Sequence, residues 1–334
     1  MIPSCFSNPN TVAGSSNSSQ SPQNLTTSTY QAQLFSSLTS AGYVTLTWSK
    51  SQYSHSLTIY VPEALTISIS LVLPALSIFN SRRGSGSKSF YLSNNDGQKV
   101  KVLWDFGKAK FSQSCAAPES GYYVAFLCNG KLHFFLGDLK EELIKRVGSI
   151  HLKCHSAEAA LVSRREHVFG HRSYKSRVEF LGLHRDILIE CYNGLLKVKV
   201  DGKTCLVVKR LAWKFRGNER IFIGGAQVQF YWDVFNWVNT AAEHRDGHGL
   251  FMFLVGDGGA WPEMVGPEKK LMKKKSFSMT PPPPQASLSP MQSCSSVLQW
   301  AEDSSDICRS SSSSSSSNMS SAGFSLLMYA WRKD

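Results

Sequence analysis

The stretch Leu195–Trp237, LLKVKVDGKTCLVVKRLAWKFRGNERIFIGGAQVQFYWDVFNW, decides the fold reading. Lys197-Val198-Lys199-Val200 alternates charged and apolar residues with period two. A strand sends such neighbours to opposite faces, valines inward and lysines outward. Asp201-Gly202 follows at once and suits a two-residue hairpin turn, whose central positions need positive φ. Thr204–Val208 is the expected return strand. Leu211, Trp213 and Phe215 alternate with Ala212, Lys214 and Arg216, which predicts another strand, closed by a turn at Gly217-Asn218. Ile221 and Ile223 form a short strand that Gly224-Gly225 ends, and Val228, Phe230 and Trp232 alternate with Gln229 and Tyr231. The whole reads as an antiparallel meander with one wet face and one buried face.

Working outward, Gly225-x-x-Val228-x-Phe230-x-Trp232-Asp233 matches Gly97-x-x-Val100-x-Val102-x-Trp104-Asp105 at a constant offset of 128. Seventeen residues after each Trp stands another Gly, Gly121 or Gly249, followed by an apolar strand. A pattern repeated at fixed spacing predicts an internal duplication. The expected fold class is therefore mainly β: two tandem antiparallel β-sandwich-like repeats, with a short helical connector and a disordered tail and insert.

The expected boundaries follow from composition. Residues 1–40 are Ser, Thr, Asn and Gln rich, with no Lys or Arg before Lys50, and read as a disordered N-terminal tail. Residues 41–137 form the first β-rich repeat, with strands at Tyr43–Trp48, Leu57–Val61, Leu65–Leu71, Phe90–Leu92 and Val100–Phe106, and a hairpin across Asn129-Gly130. Arg82–Lys88 reads as a basic loop. Residues 138–174 form the connector, with a helix opened by a capping box at Asp138-Leu-Lys-Glu141. Residues 175–255 plus 323–332 form the second repeat. Between them, 256–322 is a Lys-, Pro- and Ser-rich insert of low complexity. The strand FSLLMYAW at Phe324–Trp331 is expected to complete the second repeat, with Phe251–Leu254 pairing with Ser325–Tyr329. Long insertions at loop tips cost roughly 0.6 kcal/mol per doubling of length.

The chain has 334 residues, a formal charge of +12 and a pI near 9.3. That balance favours an anionic partner: nucleic acid, acidic lipid or an acidic protein. The eight cysteines form no CxxC pair, the first residues lack a secretory pattern, and no apolar run reaches 18 residues. The expectation is an intracellular protein with reduced thiols, in cytoplasm or nucleus, with a plastid less favoured because no Arg precedes Arg82. No membrane span is expected, and the sequence does not set the oligomeric state.

Motifs for phosphate loops, dinucleotide turns and nucleophile elbows are absent, so the reading leans away from an enzyme and implies no cofactor. His151, Cys154, His155, His167 and His171 carry zinc-binding ligand types without a zinc spacing, and are read as connector histidines, with no metal expected. Asp105 and Asp233 are read as structural, closing strand ends. Charge is the strongest functional feature: in Leu195–Ile223 eight cations oppose only Asp201 and Glu219. Lys197, Lys199, Lys209, Lys214 and Arg216 are the candidate binding residues of a basic β face able to hold phosphates. The alternative is that outward lysines only solubilise a sheet. Ser276, Thr280 and Ser289, beside Lys273–Lys275 or before proline, are candidate phosphorylation sites whose charge would cancel the lysines.

Several stretches together resemble a land-plant family known as domain of unknown function 868: KVKVLWD at 99–105, SRREH at 163–167, DILIEC at 186–191, VKRLAWKFRGN at 208–218 and VQFYWDVFNW at 228–237. Where the family continues WDV with His-Asp-Trp, this chain has Phe235-Asn236-Trp237. The resemblance implies a plant protein, a β-rich fold and no assigned activity. The function expected is a non-enzymatic binding or scaffold protein meeting an anionic or protein partner through the basic face. Two alternatives stand beside it: a hydrolase or transferase with Asp105 or Asp233 in a cleft between repeats, and a carbohydrate-binding sandwich using Trp213 or Trp237.

Overall fold

The computed structural model describes residues 24–32, 42–51, 55–62, 64–71, 84–91, 99–112, 115–148, 159–180, 182–238, 248–256 and 323–332. They are mainly β. Strands β1 (Asn24–Gln31), β2 (Tyr43–Lys50), β3 (His55–Val61) and β4 (Leu65–Leu71) form an antiparallel meander. Next come β5 (Ser85–Tyr91) and β6 (Lys99–Asp105), then a two-stranded pair of β7 (Lys110–Phe111) and β8 (Pro118–Ser120). The chain returns in β9 (Tyr123–Cys128) and β10 (Lys131–Gly137), giving a four-stranded sheet in the order β10-β9-β6-β5. The apolar faces of these two layers share one core, built on Leu46, Trp48, Leu57, Val102, Phe126 and Phe134. Helix α1 (Lys140–Val147) covers the other face of β9 and β6 with Leu143.

Strand β11 (Ala160–Gly170) follows. Then β12 (Ser173–Phe180), β13 (Leu183–Tyr192), β14 (Leu195–Val200) and β15 (Lys203–Val208) form a second four-stranded meander. Its inner residues pack against β16 (Arg216–Ile223), β17 (Ala226–Asp233), β18 (His248–Val255) and β19 (Phe324–Arg332), with the short helix α2 (Phe235–Val238) between β17 and β18. This second core centres on Ile189, Val198, Phe230, Phe251 and Leu326. Each large side chain buried there adds roughly 1.5–3 kcal/mol. β11 pairs antiparallel with β1 and parallel with β19, splicing two layers into one nine-stranded sheet, β16-β17-β18-β19-β11-β1-β2-β3-β4.

The hairpins fall where turn chemistry puts them. Asn129-Gly130 and Asp201-Gly202 have φ of 49° and 76°, and of 51° and 77°. Both central residues are left-handed, as a two-residue hairpin requires. Phe251 faces Met328 and Leu254 faces Ser325, the expected pairing of β18 with β19. Gly86 lies opposite Trp104 and Gly217 opposite Trp232, and in each pair a Cβ on the glycine would enter the indole ring. Asp105 and Asp233 each accept the amide two residues on, from Gly107 at 2.9 Å and Phe235 at 3.0 Å.

Several expectations need correction. The tail assigned to 1–40 contains β1, an inner strand of the nine-stranded sheet; residues 1–23 lie outside the described residues. Its threonines are β-branched and suit a strand. Buried Thr27 and Thr29 place their hydroxyls 3.2 and 3.3 Å from those of Thr47 and Thr45, so their burial leaves these polar groups satisfied. Among the described residues the connector 138–174 is helical over α1 alone; Ala160–Gly170 is strand, held by two neighbours. Asp138 does not cap α1, which begins after Leu139 without a side-chain cap. Its carboxylate accepts instead from the amides of Gly121 at 2.8 Å and Tyr122 at 3.0 Å. Arg82–Lys88 is not all loop, because β5 starts at Ser85. The strand expected over Leu211–Phe215 is a turn, and the turn expected at Gly217-Asn218 is strand. Arg210 adopts φ of 57°, which breaks the extended chain there, and Trp232 needs a glycine in the strand facing it. The insert at 257–322, with its candidate sites Ser276, Thr280 and Ser289, lies outside the described residues.

Candidate anion-binding surface

The five candidate cations do not form one stripe. Lys197 and Lys199 point outward from β14, and Lys199 Nζ is 2.9 Å from Glu190 Oε2 on β13. Lys197 stands directly across from the same Glu190. Arg216 donates to the buried Asp233 carboxylate at 2.7 Å. Alternating charge across neighbouring strands is how a sheet stabilises its wet face, so these three cations are partly spoken for.

The other two, Lys209 and Lys214, are exposed on the connection between β15 and β16, together with Arg210. That connection is held by its own backbone. The Leu211 amide donates to Gly194 O at 2.8 Å, and the Trp213 and Lys214 amides both donate to Arg210 O, at 2.9 and 3.0 Å. Trp232 Nε1 donates to Lys214 O at 2.9 Å, and the Val234 amide to Phe215 O at 2.8 Å. Leu211 is buried in the second core, and Phe215 meets Phe235 edge-on at 5.2 Å. Between these anchors Trp213 stands 84% exposed. Leaving so large an apolar side chain in water forgoes burial worth on the order of 3 kcal/mol.

The arrangement therefore presents one aromatic face among Lys209, Arg210 and Lys214 on a fixed loop. An aromatic ring flanked by cations suits a phosphate-bearing partner: cations meet phosphates, and the ring stacks on bases or lodges among lipid headgroups. Sequence reasoning missed Arg210 as a site residue and set Trp213 in a strand. The signal that could have found the loop is the adjacent pair Lys209-Arg210, which breaks the period-two pattern just before Leu211.

The remaining candidates go to structural roles. Trp237 is buried, stacked on Tyr174 at 5.1 Å, and offers no platform for a sugar. Asp233 is 5% exposed and ion-paired, and Asp105 holds the turn after β6. His167 packs against Tyr329 at 5.0 Å, while His151, Cys154 and His155 lie outside the described residues. Among the described residues, no group of three or more His, Cys, Asp and Glu side chains could hold a metal ion. No described helix is long and apolar enough to cross a membrane.

Residues 21–332 match the sequence model of a family described as plant protein of unknown function (DUF868). No curated protein and no solved structure matches the chain.

Proposed function

We propose, from the premise that the chain belongs to this plant family, DUF868, that it is a non-enzymatic binding protein for phosphodiester-bearing partners. The observation that carries the reading is Trp213, 84% exposed on a hydrogen-bonded loop among Lys209, Arg210 and Lys214. Nucleic acids and acidic phospholipids share the chemistry this surface fits. A place inside the cell, in cytoplasm or nucleus, goes with it, and the free thiols of Cys115, Cys191 and Cys205 support that.

The test is salt-dependent binding of the full chain to single-stranded RNA, duplex DNA and vesicles of phosphatidylcholine with phosphatidylserine. Two variants run beside the wild type, Lys209→Glu/Lys214→Glu and Trp213→Ala. All three replaced side chains are exposed, so the variants keep the fold. One class of phosphodiester partner binds. The charge variant loses at least tenfold in affinity and, on DNA, flattens the slope of log K against log salt by about 2. Trp213→Ala weakens binding by roughly 1–3 kcal/mol on a single strand. If no polyanion binds, or both variants bind like the wild type, the reading fails. Binding to neutral glycans that needs Trp213 but ignores the charge reversal would put a carbohydrate-binding role in its place.

A further inference from the structure

A cleft of about 480 Å³ opens between α1 and the outer face of the sheet that contains β6 and β9, and none of its lining residues belongs to the Trp213 loop. Leu103, Leu127 and Val147 give it an apolar lining, and Lys99, Lys101 and Arg146 supply three cations. No acid stands among the described lining residues. The acids of α1 lie in its first turn, and Glu142 is already bound to Lys108 at 2.5 Å. Arg146 is pre-positioned, its Nη1 donating to Trp104 O at 3.2 Å and Tyr123 Oη at 3.0 Å. Lys99 and Lys101 are two apart on one strand, so both face outward on the same side. Tyr91, 67% exposed, pairs directly across from Lys99, so its ring leaves the sheet on the same face as that lysine, next to the lining residues.

We infer that this cleft is a binding site for an aromatic organic phosphate. Three like charges grouped with no acid among the described lining residues repel one another, and an anion placed among them relieves that repulsion. The apolar lining and Tyr91 then take the ring, the usual division of labour in small-molecule sites. An inorganic anion would meet only half of these features, and a neutral ring the other half.

The experiment is calorimetric titration of the full chain with 1-naphthyl phosphate, inorganic phosphate and 1-naphthol, repeated on Lys99→Gln/Lys101→Gln and on Tyr91→Ala. Far-ultraviolet circular dichroism checks that each exposed-residue variant is folded. The expected result is saturable binding of 1-naphthyl phosphate, at least tenfold tighter than either inorganic phosphate or 1-naphthol. The lysine variant loses at least tenfold and Tyr91→Ala at least threefold. The inference is overturned if 1-naphthyl phosphate fails to bind. It is equally overturned if the lysine variant binds like the wild type, because the lysines then only solvate the sheet, or if inorganic phosphate binds as tightly, because the apolar lining and Tyr91 then take no ring.

Discussion

Glu166 and Arg164 lie two apart on β11, on the face turned to the first core, with side chains 6% and 13% exposed. Arg164 Nε meets Glu166 Oε1 at 2.5 Å, and its Nη2 lies 3.7 Å from Cys115 Sγ. A pair this deep recovers its desolvation cost only while both partners are charged and in contact, so removing one leaves a stranded charge. Glu166→Gln is therefore expected to lower stability by about 3 kcal/mol, read as a shift of the urea midpoint. Arg164→Met/Glu166→Gln should recover most of that loss, since the stranded charge is gone; an unshifted midpoint in Glu166→Gln would show that the pair contributes nothing. His55 makes a second prediction. It is 2% exposed, Nε2–H donates to Ala116 O at 2.7 Å, and Nδ1 has no hydrogen-bond partner among the described residues. Burial holds its pKa below the usual 6.5, so the fold favours the neutral ring. The stability it adds is complete above pH 6.5 and is lost as pH falls through the lower folded value. Urea unfolding at pH 7.5 and 5.5 should show less stability at the lower pH. The difference should narrow in His55→Gln, which carries no titratable proton; an equal slope in both would assign the acid sensitivity elsewhere.

At the scale of elements, the sequence was legible wherever one local rule governed a segment. Asn129-Gly130 and Asp201-Gly202 gave their hairpins because two successive left-handed residues are a backbone demand that few dipeptides meet. The strands around them followed from alternation. It failed where a distant partner decided. β1 reads as a polar tail because its threonines find their hydrogen-bond partners only on β2. β11 reads as connector because SRREH places charges where a core strand should be apolar; the ion pair that permits this involves contacts from three parts of the chain. Leu211–Phe215 keeps a strand's alternation yet turns, because Arg210 breaks the extended backbone and Leu211 anchors on Gly194. The candidate surface was half legible for the same reason. Its cations are visible in the sequence, but which of them are neutralised depends on Glu190 and Asp233 arriving from neighbouring strands.

For the molecule as a whole, the nine-stranded sheet makes the two cores one structure, and β19 is its closing piece. β19 pairs antiparallel with β18 and parallel with β11, so it carries both the second core and the seam between the halves. Yet it arrives only after the long, low-complexity segment 257–322. The register shows how little geometry that segment must satisfy. Val255 is directly opposite Phe324, so the strand ends are already adjacent. Gly256 has φ of 59°, and Gly323 immediately precedes β19. Deleting 257–322 would join them as Val255-Gly256-Gly323-Phe324, a two-residue glycine turn that hairpin geometry favours. Closure entropy grows by roughly 0.6 kcal/mol per doubling of loop length, so reducing this connection to two residues removes about five doublings, roughly 3 kcal/mol. The shortened protein is therefore expected to keep the near-ultraviolet circular dichroism of its packed aromatic residues and to melt several degrees higher. A lower melting temperature or a lost aromatic signal would mean that 257–322 packs against the sheets and is part of the fold.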